Sequence, residues 1–510
     1  MPISYEVHPG IGIARVGTSD EFFVGPEPDG TPPSQYRDQA GNLLRQAARF
    51  RVYKCERDEN RRLLNATEVM PDTGTIAWTV HLANRKAVAE TFPPDPEVPP
   101  NERPRRNPKE PDRQRLIIDA GPRSLIPPKK LERFDSGRFK DRIVPLGEIR
   151  REENGRLLVL GGFGQSDFIR EDGQPSPINS FVNNSDWFDD ISDGPVRAVV
   201  TTADGQINQV TSSWVIVAPP DFAPGITNIV TLYDIALEAA VRRGWLVPPS
   251  TPSFVRDVLP ILARPLGYAW VSQLASLGHS SRRPGDFSSD WSTLGDPQGD
   301  PFERSAIVRR LREPLTLPPS TRLSMPRLND STHSTNVLAL TPTQFAILQA
   351  WAVGNFVGDL DAPSQTGELL PDALDRMSLQ ACSGGPFFPG IEAGGILAKD
   401  ELYSEPFRLD SDSLEPGEVT MGNAVPWQAD FWDCKLEGQS GLGWWPAQRP
   451  DQVYPDLDSL NALRFRNWDL GVNGRQGMVD NWHRLGVVVE ESSPDGKSVF
   501  FEKERTLPGL

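Results

Sequence analysis

Cysteine is nearly absent from this 510-residue chain, with only three, at positions 55, 382 and 434. So odd and sparse a set excludes a disulfide framework. Histidine is scarce as well: five residues (8, 81, 279, 333 and 483), none in the HxH or HExxH spacing of a zinc centre, so no metal is expected. No window approaches the run of about 18 apolar residues that a membrane span needs. The opening "MPISYEVHPGIGIARVG" lacks a basic segment followed by an apolar one, so no signal peptide is expected. The expected location is the cytoplasm, with an unconventional export route left open. Excess positive charge is missing too. A formal net charge of −16 removes the electrostatic footprint of a nucleic-acid binder, while leaving room for a small cationic or zwitterionic ligand. The one basic stretch, "NERPRRNPKEPDRQR" (101–115), is broken by prolines and acids and reads as a solvated loop. GxSxG elbows, Walker loops and fixed-period repeats are absent.

Proline is plentiful, 50 residues, about twice the ordinary usage of roughly 5%. With 43 glycines, it predicts many turns and short helices. Hydrophobic content of 37% and charged content of 24% describe a folded globular chain. Strand patterning recurs through the first half: Ile3/Tyr5/Val7, "FRVYKC" (50–55), "IAWTVHL" (76–82), "RLLVLGG" (156–162), "VRAVVTT" (196–202) and "SSWVIVAPP" (212–220). Helical spacing appears at 227–246 with Gly244 as its stop, at 342–356 with Thr341 as its cap, and at 371–382. Residues 484–505 read as a hairpin around Pro-Asp-Gly. The expected fold class is α+β: a β-rich N-terminal half with long loops, a few helices, and a loop-rich C-terminal region. Expected divisions are 1–245 (β-rich), 246–360 (mixed) and 361–510 (carrying the reactive residues), with one integrated unit as the alternative. "HPGIGIARVG" (8–17) fails the dinucleotide fingerprint, because its third glycine is misplaced and no helix follows. "DWFDDISDG" (186–194) lacks the EF-hand spacing and reads as a loop of exposed and capping aspartates.

The chemistry-bearing region begins at "ACSGGPFFPGIEAGG" (381–395), a loop headed by Cys382 with Gly384, Gly385, Phe387 and Phe388 close behind. Downstream, six of the thirteen tryptophans crowd into 427–482, among proline, glycine and aspartate and off any periodic apolar face. In this block, Asp430 and Asp433 flank the "FW" of "WQADFWDC". Each is a candidate proton acceptor, with capping or ion pairing an equal alternative.

"LDRMSLQACSGGPFFPGIEAGG", "ELYSEPFRL", "AVPWQADFWDC" and "WWPAQRPD" resemble the signature segments of the cysteine tryptophylquinone amino-acid oxidases, the lysine ε-oxidase and glycine oxidase family. "HPGIGIARVGTS", "GGFGQS", "WVIVAPPDFAPGI" and "LTPTQFAILQAWAVGNF" extend the likeness, in order, over nearly the whole chain. The resemblance implies an indole oxygenated to an ortho-quinone and joined by a thioether to a cysteine, with no metal. Cys382 matches the cross-linked cysteine. The matching tryptophan lies in the Trp444–Trp445 pair, with Trp445 the first choice and Trp427 the fallback. The implied reaction is oxidation of a primary amine or amino acid through a Schiff base on the quinone. Reoxidation by O2 gives H2O2, and hydrolysis releases ammonia and a carbonyl product. A flavoprotein maturation partner and a homo-oligomer are also implied. The chain departs from the family four positions before the cysteine, where an aspartate serves maturation and Ser378 stands here. Asp375, seven positions before Cys382 and on about the same helical face, is the nearest substitute. The rival reading is a relative that keeps the fold without the quinone and acts as a binding or biosynthetic accessory protein.

Overall fold

The structure, a computed structural model, describes residues 3–507 apart from 29–31, 60, 95–96, 171, 282, 315–324, 329–338, 362–369, 386, 436–442 and 494–495. His333 lies outside the described residues.

The β-rich first half folds into one large sheet of fifteen strands, all between Ile3 and Ala218. Its main path runs Leu131–Arg133, Gly147–Arg151, Leu157–Gly161, Arg45–Arg57, Ile11–Arg15, Ser213–Ala218, Ser192–Thr202, Gly74–Val80 and Arg123–Leu125. Nine strands at a spacing of about 4.8 Å would make a flat sheet roughly 38 Å wide. The two end strands are joined by residues 126–130 alone, a link that reaches only about 20 Å. The sheet therefore curls, and the Arg123 side chain on one end strand donates to the Arg133 carbonyl on the other at 2.9 Å.

Two neighbouring strands position the site. "IGIAR" (Ile11–Arg15) and "SWVIVA" (Ser213–Ala218) pair in parallel, and every residue of both is buried. Unbroken apolar runs are the mark of strands covered on both faces. Ala14, Val215 and Val217 point into the main core, while Ile11, Ile13, Trp214 and Ile216 face a second cluster built with helices. The bend at Pro9–Gly10 ends the preceding strand, Ile3–His8. Gly12 lies in the Ile11–Arg15 strand, where a Cβ would stand 2.3 Å from the Phe50 ring.

Eleven α-helices occur among the described residues, none longer than eleven residues. Leu232–Arg242 starts with a capping box, Thr231 with Asp234, and stops at Gly244 in the left-handed region. It begins later than the helical spacing from 227 suggests, because Thr231 is extended and bridges to Ser383. Pro342–Ala352 is capped by Thr341, as its sequence predicts, in a capping box closed by Gln344. Leu370–Gln380 ends just short of Cys382. Val487–Ser492 and Ser498–Lys503 form the C-terminal hairpin. No helix among the described residues is long and apolar enough to cross a membrane.

The aspartates of "DWFDDISDG" are not a solvated loop. Asp189, Asp190 and Asp193 are fully buried. Asp189 accepts from the Lys86 ammonium at 2.8 Å, and Asp193 accepts from the Trp214 indole and from Thr420. Partners supplied from so far along the chain are invisible to local spacing.

Candidate active site

Cys382 sits at the end of the Leu370–Gln380 helix, completely buried, among Leu232, Ala236, Ala239 and Leu379. Its carbonyl accepts from Leu232 N–H, and the next glycine, Gly384, donates to the Val230 carbonyl at 2.8 Å. That exchange lays the cysteine loop edge to edge on Asn228–Leu232. Glycine is required here by close approach: a Cβ on Gly384 would lie 2.1 Å from the Thr231 carbonyl oxygen. Gly384→Ala is expected to destabilise the protein by about 1–3 kcal/mol, as overpacking does, measured as a lower denaturation midpoint. Gly385 has φ +71°. Phe387 is core, and Phe388 packs edge-on against Phe92 with centroids 5.1 Å apart.

Three segments distant in sequence converge on the thiol. Arg15, from the buried strand, donates to Cys382 Sγ at 3.7 Å, to the Ala381 carbonyl at 3.1 Å and to the Pro219 carbonyl at 2.9 Å. It also pairs with Glu392 at 2.5 Å and approaches Asp221 at 4.0 Å. Glu392 in turn accepts from the Ser383 amide and hydroxyl, closing the cysteine loop on itself. Burial lowers the Arg15 pKa, but Glu392, Cys382 and Asp221 together outweigh it and hold it above the ordinary value. Burial pushes the Cys382 thiol well up, only partly offset by Arg15, so it rests as a neutral thiol directed at the Ser378 carbonyl, 3.6 Å away. Burial likewise raises Asp221 to about 6 against the pull of Arg15. Arg15, Asp221 and Glu392 lie inside the family-like segments "HPGIGIARVGTS", "WVIVAPPDFAPGI" and "PGIEAGG", so the signal that could have singled them out was present.

Asp375 and Ser378 fasten the helix to the sheet. Asp375 Oδ1 accepts from Gly10 N–H at 2.6 Å and pairs with the buried His8 imidazole at 2.9 Å. Burial lowers the His8 pKa, yet Asp375 and its other neighbours outweigh it and hold it at about 10. His8 Nε2 also faces Glu6 at 3.2 Å, and Arg57 clasps the same carboxylate, so Glu6 and His8 belong to one buried ion-pair cluster beside Cys55. Ser378 Oγ donates to the Ile11 carbonyl at 2.7 Å.

The tryptophan pair packs elsewhere. Trp444 is buried in the main core, stacked on Tyr268 and edge-on to His279. Trp445 is half-buried against the same core, whereas Cys382 belongs to the second cluster. Asn228–Leu232 bridges the two regions: the cysteine loop lies along one part, and Asn228 Oδ1 accepts from Ala447 N–H, just past the tryptophans, at 2.9 Å. The indole N–H groups of Trp427, Trp444 and Trp445 are buried without an acceptor. Those of Trp78, Trp187, Trp214, Trp351 and Trp468 all have one.

The two candidate proton acceptors part company. Asp430 is buried on the Trp427–Asp433 helix. Its Oδ2 accepts from Gly390 N–H of the cysteine loop at 2.9 Å and from the Cys434 thiol at 3.3 Å. Burial raises its pKa to about 7, and those two donors restrain the rise. Asp433 is half-exposed and paired with Arg475 at 2.6 Å.

This β-rich fold, with a buried cysteine in a glycine-rich loop, coincides with two family descriptions. L-lysine epsilon oxidase N-terminal matches residues 8–217, and the L-lysine epsilon oxidase C-terminal domain matches 322–456. The chain belongs to the L-lysine ε-oxidase family and is an amino-acid oxidase, an oxidoreductase acting on amines. Among its relatives, L-lysine 6-oxidase of Marinomonas mediterranea is 27% identical, over 99% of this chain and 90% of that protein. Two crystal structures of L-Lys ε-oxidase from that organism, one of them the Schiff base intermediate with L-Lys, superpose with TM-scores of 0.79 and 0.78. Both are 25% identical and cover 99% of this chain and 95% of theirs.

Proposed function

We propose that this chain oxidises a primary amine of an amino acid, with the ε-amine of lysine as the first candidate, using a cysteine tryptophylquinone made from Cys382 and Trp445 or Trp444. The observation that carries the reading is the meeting of three family-like segments, through Arg15, Asp221 and Glu392, at the Cys382 thiol. The residue types suit such a group: a buried thiol, glycine backbone that lets a flat ring approach, and indole N–H groups left without acceptors. When formed, the quinone supplies an electrophilic carbonyl that draws electrons from the amine and yields them to O2 as H2O2, with ammonia and a carbonyl product released.

The chain's own residues do the rest. Arg15 and Glu392 hold the cysteine loop in place. Phe387 and the surrounding core keep water from it. Asp430, poised near neutrality, takes the proton from the substrate carbon next to nitrogen. A flavoprotein partner matures the cofactor. Ser378 favours one second reading, a relative without the quinone: its hydroxyl is committed to Ile11 and offers no carboxylate beside Cys382.

One measurement separates the two. Intact mass and peptide mapping after co-expression with the flavoprotein should show two added oxygens and a Cys382–tryptophan link, both lost in Cys382→Ser. An unmodified mass would overturn the oxidase reading in favour of the second. Peroxide release across a panel of primary amines then identifies the substrate.

A further inference from the structure

Beside the cysteine loop, a cleft of about 190 Å³ opens between the Leu232–Arg242 helix and the first turn of Pro342–Ala352. Gly385 and Val230, the residue that holds Gly384, form part of its wall. A cleft of this size has room for a small molecule. Ile235, Glu238 and Arg242 line it from one face of the helix, while Leu232, Ala236 and Ala239 on the adjoining face pack around Cys382.

The two charges carry the argument. Glu238 and Arg242 stand one helical turn apart, in the order that favours an ion pair. Among the described residues, however, they pair neither with each other nor with any other charge. Each is held by one backbone group of a neighbouring element: Glu238 Oε2 accepts from Thr343 N–H at 3.0 Å, and Arg242 donates to the Ala398 carbonyl. The other carboxylate oxygen of half-buried Glu238 and the other guanidinium donors of exposed Arg242 have no protein partner among the described residues and are open to solvent or to a ligand. An acid and a base side by side in a cleft of this size complement a free α-ammonium and α-carboxylate, and guanidinium–carboxylate pairing is strong and directional.

Building on the amino-acid oxidase reading, we propose that this cleft grips the zwitterionic α-end of the substrate. Arg242 takes its carboxylate and Glu238 its ammonium, and the reactive terminal amine is directed past Gly385 toward the cysteine loop.

The test uses L-norleucine, which keeps the α-end of lysine but has no terminal amine, on the full chain without its quinone. Calorimetry should detect binding, weakened about tenfold to a hundredfold by Arg242→Gln and by Glu238→Gln. Arg243→Gln, next to Arg242 but stacked on Trp245, is the control and should change nothing. In the matured enzyme, both cleft variants should raise KM for L-lysine without lowering kcat; for cadaverine, which keeps the ammonium but lacks the carboxylate, Glu238→Gln should raise KM and Arg242→Gln should not. Norleucine that fails to bind, or binds equally to both cleft variants with unchanged melting curves, overturns the assignment. So does wild-type enzyme that handles cadaverine as well as lysine. Arg242-dependent norleucine binding by a chain whose mass shows no quinone sinks the oxidation reading and leaves the cleft standing.

Discussion

Asp430→Asn is expected to lower turnover by about two to four orders of magnitude, the usual worth of a positioned general base, while the mass of the matured protein stays that of wild type. The substitution keeps the shape that Gly390 N–H and the Cys434 thiol recognise at Oδ2 and removes only the capacity to accept a proton. In wild type, kcat/KM should climb as pH passes through about 7, where the buried carboxyl ionises, and the variant should lose that limb. The stability effect has a definite sign. Asp430 in the folded protein keeps its proton to about 7, whereas the unfolded chain releases it near the ordinary value of 3.8. Between those values the folded state binds more protons, so this group's contribution is full at low pH and is lost as pH rises through about 7. Asp430→Asn, which cannot ionise, should gain on wild type in melting temperature over that window. Asp433→Asn, which breaks the surface pair with Arg475 and removes a minor charge that raises the Asp430 pKa, should change activity far less. Equal losses from the two substitutions would defeat the choice of Asp430 as base.

Arg15→Leu should cost about 3–5 kcal/mol, the penalty for breaking a buried charge network by removing one partner. The guanidinium serves the Pro219 and Ala381 carbonyls, the Cys382 sulfur and the Glu392 carboxylate together, and no apolar side chain satisfies any of them. Glu392 and Asp221 would be left buried without their cation. The loss should be smaller at pH 5 than at pH 8: burial already raises Asp221 to about 6 against the pull of Arg15, and without Arg15 it holds its proton further up the pH scale, so the penalty for ionising it appears only as pH rises. Arg15→Lys should restore only part of the stability, since an ammonium lacks the planar fork that reaches several acceptors at once. Denaturation midpoints at the two pH values measure both effects. A variant as stable as wild type at pH 8 would show that the cluster contributes nothing to the fold.

Local pattern reached a long way into this molecule. "SWVIVA" announced a strand, and the fold covers it on both faces, as an unbroken apolar run with no side to offer water requires. Thr341 announced the start of a helix, because its hydroxyl can satisfy an amide that the helix leaves open. Asp189, Asp190 and Asp193 were illegible for the converse reason. An aspartate between turn residues looks the same whether it meets solvent or a buried lysine from a hundred residues away. Arg15 stands in a family-like segment, yet one charge in an apolar strand does not declare its partners at 221 and 392.

The cysteine loop shows where the division falls. The order of residues by itself determined that Cys382 heads a glycine-rich turn, that tryptophans crowd downstream, and that the chain resembles a family of oxidases. Those are properties of neighbours along the chain. Only the tertiary structure decided that Asn228–Leu232 stands between the cysteine loop and the tryptophan pair, that Asp430 is buried and Asp433 is not, and that Arg15 faces the thiol. Burial and charge pairing are properties of neighbours in space, and a buried carboxylate or thiol takes its proton affinity from whatever the fold brings beside it.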